Sequence, residues 1–174
     1  MGTKRVGLAR TESLIEALNK RNVVVRSATT AHDLTGLSAD TTVIYTGTMD
    51  GNVTLPQATA VNVGMVIKII YSASAGTTAR KLGFTDAGST VITGNFSIGA
   101  LDAGPADENI SFAITSNAKV FAIDANDLTG GGGAAGSMYT FTYFGANTVF
   151  CEARAMTTGG TPAPDAASTS ATGI

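Results

Sequence analysis

The run Asn52–Tyr71, NVTLPQATAVNVGMVIKIIY, constrains this chain most. Its first part reads as a short strand with Val53 and Leu55 on one face. Pro56 ends that ladder, because proline has no N–H to donate. Residues 57–63 form a loop, and Gly64 opens a longer strand. There Met65, Ile67, Ile69 and Tyr71 share one side, while Val66, Lys68 and Ile70 share the other. Lys68 is the only charge in that strand. A strand apolar on nearly both faces needs cover on both, from the centre of a sandwich or from another subunit.

The rest of the chain supplies similar short strands. Val23, Val24 and Val25 in series favour extended backbone, as does TVIYT at 42–46. Asp50-Gly51 between the latter and Val53 is a hairpin signal. Residues 81–85, 90–93, 110–114 and 119–124 read as further strands, with Ser116-Asn117 as a hairpin turn between the last two. Residues 137–144 place Tyr139, Phe141 and Tyr143 on one face, with Met138 and Phe144 on the other. Gly145-Ala146-Asn147 turns the chain into a last strand, 148–156. That strand has Val149, Cys151, Ala153 and Ala155 on one side, and Glu152 and Arg154 placed to pair on the other. Strands spaced by Gly, Asn and Asp turns predict an all-β fold, an antiparallel sandwich or barrel-like domain, over residues 28–156.

Extensions flank that domain. Residues 1–27 form a basic arm, and 11–21 read as a short helix. Ser13 and Glu16 have capping-box spacing, the acidic residues lie early, and Lys20 and Arg21 lie late. Its apolar stripe is Leu14, Ile15 and Leu18. A helix of about 11 residues is marginal alone in water and should dock on its own domain or on a partner. Residues 157–174 contain Gly, Thr, Pro, Ala and Ser and little else, and predict an irregular tail that a partner would have to hold.

Charged residues make up 14% of the chain, against about 25% in typical soluble domains. Such a surface is expected to be hidden against neighbours. The charge is also uneven. Lys4, Arg5, Arg10, Lys20, Arg21 and Arg26 face only Glu12 and Glu16, which leaves +4 on residues 1–26 and −6 on the remainder. A basic arm ahead of an acidic body suits an acidic docking surface. The arm has no aromatic side chain to stack on bases, so a protein partner is expected rather than nucleic acid. No apolar run reaches the roughly 18 residues that cross a bilayer, and no membrane partner is expected.

No catalytic set is legible. His32-Asp33 is the only histidine-containing pair and reads as a polar loop. The single cysteine, Cys151, lies in an apolar strand pattern and reads as a buried thiol. One Cys and one His are too few for zinc, and no cofactor is expected. Gly130–Gly133 lacks the Lys-Ser/Thr of a phosphate loop. Asp124, Asn126 and Asp127, or Asp102, Asp107 and Glu108, loosely resemble calcium ligands, but turn formation explains them more simply. Sequons stand at Asn52, Asn95 and Asn109. The Tyr139, Phe141 and Tyr143 face suits a core or subunit contact, with a sugar platform as the alternative.

The opening MGTKRVGLARTESLIEAL resembles the openings of structural proteins from tailed phages of marine bacteria. NVTLP, GMVIKII, GSTVITG and KVFAI, between Thr42 and Asp124, resemble a β module of phage fibre and capsid-decoration proteins. The glycine run and the Pro/Ala tail depart from that pattern. The resemblance implies a virion structural protein, commonly a homotrimer, bound to the major capsid protein on the head exterior. Lys4, Arg5, Arg10, Leu14, Ile15 and Leu18 would make the docking contact, with Tyr139, Phe141 and Tyr143 as a further candidate. A tail-fibre or receptor-binding protein contacting host glycan is the alternative. A glycan-cleaving enzyme would need a carboxylate pair that is not legible here.

Overall fold

The computed structural model of this chain describes residues 22–27, 30–73, 80–100, 109–114, 117–123, 133–157, 169–170 and 172–174. The helix predicted over 11–21 lies outside them. Every element among the described residues is a β-strand. The first described strand, β1 (Asn22–Arg26), lies in a larger sheet; the chain then crosses to a smaller sheet for β2 (His32–Asp33) and returns for β3 (Thr41–Tyr45). It crosses again for β4 (Val53–Thr54), returns for β5 (Val66–Tyr71), and crosses once more for β6 (Arg80–Gly83). Each return lays the new strand parallel to its predecessor in that sheet.

The second half fills in the antiparallel partners. Strands β7 (Val91–Ala100) and β8 (Asn109–Ala113) pair in the larger sheet, and β9 (Val120–Ile123) joins β6 in the smaller. A hairpin follows, β10 (Met138–Gly145) and β11 (Thr148–Thr157), with Asn147 in the left-handed region at φ 66°. It slots between β5 and β7, antiparallel to the first and parallel to the second. Finally β12 (Thr169–Ser170) pairs with β9. The larger sheet runs β1-β3-β5-β10-β11-β7-β8, and the smaller β12-β9-β6-β4-β2.

The all-β expectation is met, but the sheets are mixed rather than antiparallel. Alternating apolar patterns give strands without giving their direction. The predicted hairpin at Asp50-Gly51 is instead a crossing between sheets. Gly51 is there because the backbone of Thr30 and Ala31 lies where its Cβ would be. The Ser116-Asn117 link likewise joins strands of different sheets, β8 and β9.

One core joins the two sheets. Val43, Tyr45, Ile67, Ile69, Tyr71, Tyr139, Phe141, Tyr143, Val149 and Cys151 bury their side chains from the larger sheet, and Val53, Leu82 and Phe121 from the smaller. Phe121 contacts Phe96, Tyr139 and Phe141, with ring centroids 5.3, 5.5 and 6.1 Å away. The Tyr143 hydroxyl donates to the Pro56 carbonyl at 2.8 Å, which satisfies both buried groups. The irregular tail expected over 157–174 is also corrected at its described end. Besides β12, the Ile174 N–H donates to the Phe84 carbonyl at 2.9 Å, and the Lys81 ammonium to the Gly173 carbonyl at 2.7 Å. The polar composition hid this, because the contact is made by backbone.

Gly94 interrupts β7 where that strand runs beside β11. Its φ is 129°, and a Cβ there would run into the Cys151 carbonyl. Gly94→Ala should therefore destabilise by about 2 kcal/mol or more. Gly36, with open space around it and ordinary φ, should accept alanine within about 0.5 kcal/mol. Denaturant melts of the two variants check the contrast, and equal midpoints would refute it.

Candidate interaction surface

The larger sheet has an inner face in the core and an outer face that no other described element covers. Strand pairing puts its outer residues in rows. One row runs Val25, Ile44, Ile70, Met138, Arg154, Ser97 and Ser111 across β1, β3, β5, β10, β11, β7 and β8. The next runs Val23, Thr42, Lys68, Thr140, Glu152 and Asn95. A third carries Val66, Thr142, Phe150 and Thr93. In the half from β1 to β10 one row is therefore aliphatic, from Val25 to Met138, and the next carries Thr42, Lys68 and Thr140. The other half is polar around the exposed Glu152–Arg154 ion pair, 3.5 Å apart.

Among the apolar residues of this face, exposure is greatest on the β1 edge. Val23 and Val25 on β1 are 57% and 60% exposed, and Phe150 is 41% exposed. At one end of the molecule Val61, Val63 and Phe144 are exposed too. Isolated exposed apolar residues are ordinary, but a continuous row on an uncovered sheet face marks a contact surface. Two depressions score this face. One, about 290 Å³, surrounds half-buried Lys68 with Asp40, Thr41, Thr42, Val66 and Thr140. The other, about 520 Å³ and shallower, is lined by Asn95, Ser97, Ser111, Phe150, Glu152 and Arg154.

The residues singled out in the sequence fall in different places. Tyr139, Phe141 and Tyr143 are fully buried and form no platform for a partner or sugar. The alternation that exposed them as a set also points them inward. Lys4, Arg5, Arg10, Leu14, Ile15 and Leu18 lie outside the described residues, as do all of the candidate calcium ligands. Among the described residues no group of three His, Cys, Asp or Glu side chains stands together as a metal site. No helix among them is long and apolar enough to cross a membrane. The apolar row itself escaped the sequence, because it runs across strands and emerges only from their register.

His32 is not a free loop residue. It begins β2, and its Nδ1 lies 2.7 Å from the Tyr45 hydroxyl. With the ring neutral, that hydroxyl donates to Nδ1. Partial burial lowers the imidazole pKa from its usual 6.5, nearby Arg26 lowers it further, and Asp33 opposes them. Cys151 is a core thiol whose pKa burial pushes up, so its reactive thiolate is suppressed.

Compared with known proteins, the chain matches no family model, no curated protein and no solved structure. The surface must therefore be interpreted from its own chemistry.

The only histidine gives a single imidazole resonance. Its proton NMR titration should show a midpoint below 6.5, and a midpoint above it would refute the arrangement. Because the folded pKa is lowered, the unfolded chain binds more protons on acidification. The stability linked to His32 is thus complete above pH 6.5 and falls as pH drops through that value. The single thiol should resist a disulfide reagent in the native protein and react fully after denaturation. Fast native labelling would contradict the burial of Cys151.

Proposed function

We propose that this chain is a non-enzymatic structural protein of a phage particle, a decoration or cement protein that stabilises the head. The observation that carries this reading is the outer face of the larger sheet, which no other described element covers, with its aliphatic row Val25, Ile44, Ile70 and Met138. Such a row is costly in water and gains from burial against another protein, at about 25 cal/mol per Å² before association costs. The resemblance of the opening segment to tailed-phage structural proteins supports the same reading, as does the low charge. In this proposal the basic arm, with Lys4, Arg5, Arg10, Leu14, Ile15 and Leu18, binds the major capsid protein. The β domain meets neighbouring copies on the head exterior, and homotrimers are the assembly that the resemblance implies.

A second reading draws on the groove beside Phe150. An exposed aromatic ring next to Asn95, Glu152 and Arg154 supplies the stacking and hydrogen-bonding groups that a glycan needs. That favours a tail-fibre or receptor-binding protein.

Copy number in purified particles separates the two. Hundreds of copies support decoration, and a few tens or fewer support a fibre. Removing residues 1–21 should abolish binding to undecorated heads while leaving the melting temperature of the β domain within a few degrees of the intact chain. A truncated protein that still saturates heads would overturn the role of the arm.

A further inference from the structure

The larger sheet has two edges, β1 and β8, and the β1 edge carries the most specific information about what it meets. Strand β1 lies at that edge, with β3 on one side and no described strand on the other. The Thr46 N–H donates to the Arg26 carbonyl at 2.8 Å, so Arg26 turns its backbone groups toward β3. Alternation along a strand gives Asn22 and Val24 the same direction. The N–H and C=O groups of Val23 and Val25 therefore point outward, to the open edge. The same two residues hold the exposed apolar side chains of this strand. Native proteins blunt such edges with lysine, proline, bulges or very short strands. The edges of the smaller sheet, β2 and β12, have two residues each. Strand β1 has five residues, three of them valine in a row, and its only charge is at one end.

We infer that two copies of this chain pair antiparallel through β1, about a two-fold axis at Val24, and join their larger sheets into one. This deepens the proposal that copies contact one another, and rests on it. The register follows from the free groups. Centred on Val24, Val23 of each copy stands opposite Val25 of the other, and each such pair exchanges both of its outward N–H···O=C bonds. Asn22 then faces Arg26, so no like charges meet. The two Val24 residues meet in the close, non-hydrogen-bonded position. Val24 is only partly buried and already packs on the core, and so is Leu37 beside it. Between them, Arg26, His32 and Leu34 line a recess of about 150 Å³ where the core reaches the surface. The second Val24 would cover that margin.

Symmetry selects the antiparallel form. An axis perpendicular to the sheet keeps both outer faces on one side, and the aliphatic row runs from Val25 of one copy to Val23 of the other. A parallel pair of identical edges needs an axis along the strand, which would set the outer face of one sheet beside the inner face of the other. A two-fold contact joins two copies only. It therefore links neighbouring assemblies and does not build a three-fold one.

Cysteine cross-linking on the full chain tests this contact. Facing residues at a non-hydrogen-bonded position have Cα atoms about 4.5 Å apart, inside the roughly 4.4–6.8 Å range of a disulfide. Val24→Cys should give a covalent dimer under mild oxidation, whereas Val25→Cys, which faces Val23 instead of itself, should give several-fold less. Charge variants made with Val24→Cys test the register. Glu at both 23 and 25, or Lys at both, should lose the cross-link at least tenfold, and an equal mixture of the two should restore it. Val23→Glu with Val25→Lys in one chain should keep it, because antiparallel pairing puts Glu opposite Lys. Thermal melts confirm folding, since both positions are largely exposed in one copy. A Val24→Cys chain that associates without cross-linking would overturn the β1 contact and leave self-association standing. A chain that stays monomeric at millimolar concentration and on heads would overturn both. A cross-link that survives every charge variant would overturn the register.

Discussion

Parallel strands cannot be joined by a tight turn, and that constraint organises the first half of this protein. A parallel neighbour requires the chain to leave the sheet at one end and re-enter it at the other. In most proteins a helix makes the return. Here a strand of the other sheet does so: β2 carries the chain from β1 to β3, and β4 carries it from β3 to β5. Each crossing thus serves both sheets at once, extending one ladder while closing the loop of the other. The close approach of Gly51 to Thr30 and Ala31 shows where successive crossings stack. The winding ends at β6, and the later strands complete both sheets by antiparallel pairing, except where β11 runs parallel to β7.

Aromatic packing fixes how the sheets sit on each other. Tyr45 stacks on Tyr71 at 5.5 Å, Tyr71 meets Tyr139 edge-on at 6.1 Å, and Tyr139 meets Phe96 and Phe121. These rings come from β3, β5, β10, β7 and β9, so the chain links distant parts of the sequence through one layer. Offset and edge-on ring pairs contribute about 0.5–1.5 kcal/mol each beyond their burial. The His32 imidazole, edge-on to Tyr45 at 5.7 Å, ends that layer beside β1. Proton binding at His32 is therefore coupled to packing at the same margin where β1 lies.

The inward half of the fold was legible in the sequence, because burial acts on one residue at a time. Met65, Ile67, Ile69 and Tyr71 alternate, and all four are buried. The same holds for Cys151 and for the Gly145-Ala146-Asn147 hairpin. Strand direction and sheet membership were not legible, because they depend on where a chain goes after a turn. Asp50-Gly51 illustrates this, since one dipeptide suits both a hairpin and a crossing. The tail was misjudged for a related reason. Asp86 accepts from the Gly173 N–H, and its own N–H donates to the Ile174 carbonyl, so backbone groups hold a segment with little apolar content. The candidate surface was half legible. Its exposed Val23 and Val25 were visible as valines in series, but the rows they belong to exist only once the strands are in register.

That row also explains why Lys68 is compatible with its strand. Ile67 and Ile69 on either side are buried, while Lys68 lies half-covered on the outer face between Thr42 and Thr140. A lysine there keeps its ammonium near water and lays its methylenes along the sheet. Its charge lies beside the aliphatic row, next to Ile70 and Val66 along the strand. Unspecific stacking of the sheet faces would bury that charge without a partner, at a cost of several kcal/mol. A neighbour that offers a carboxylate or an open margin avoids that cost. The edge contact through β1 meets the condition, because it extends the sheet sideways and leaves Lys68 in solvent. The outer face is then free to meet a partner chosen by charge as well as by apolar area.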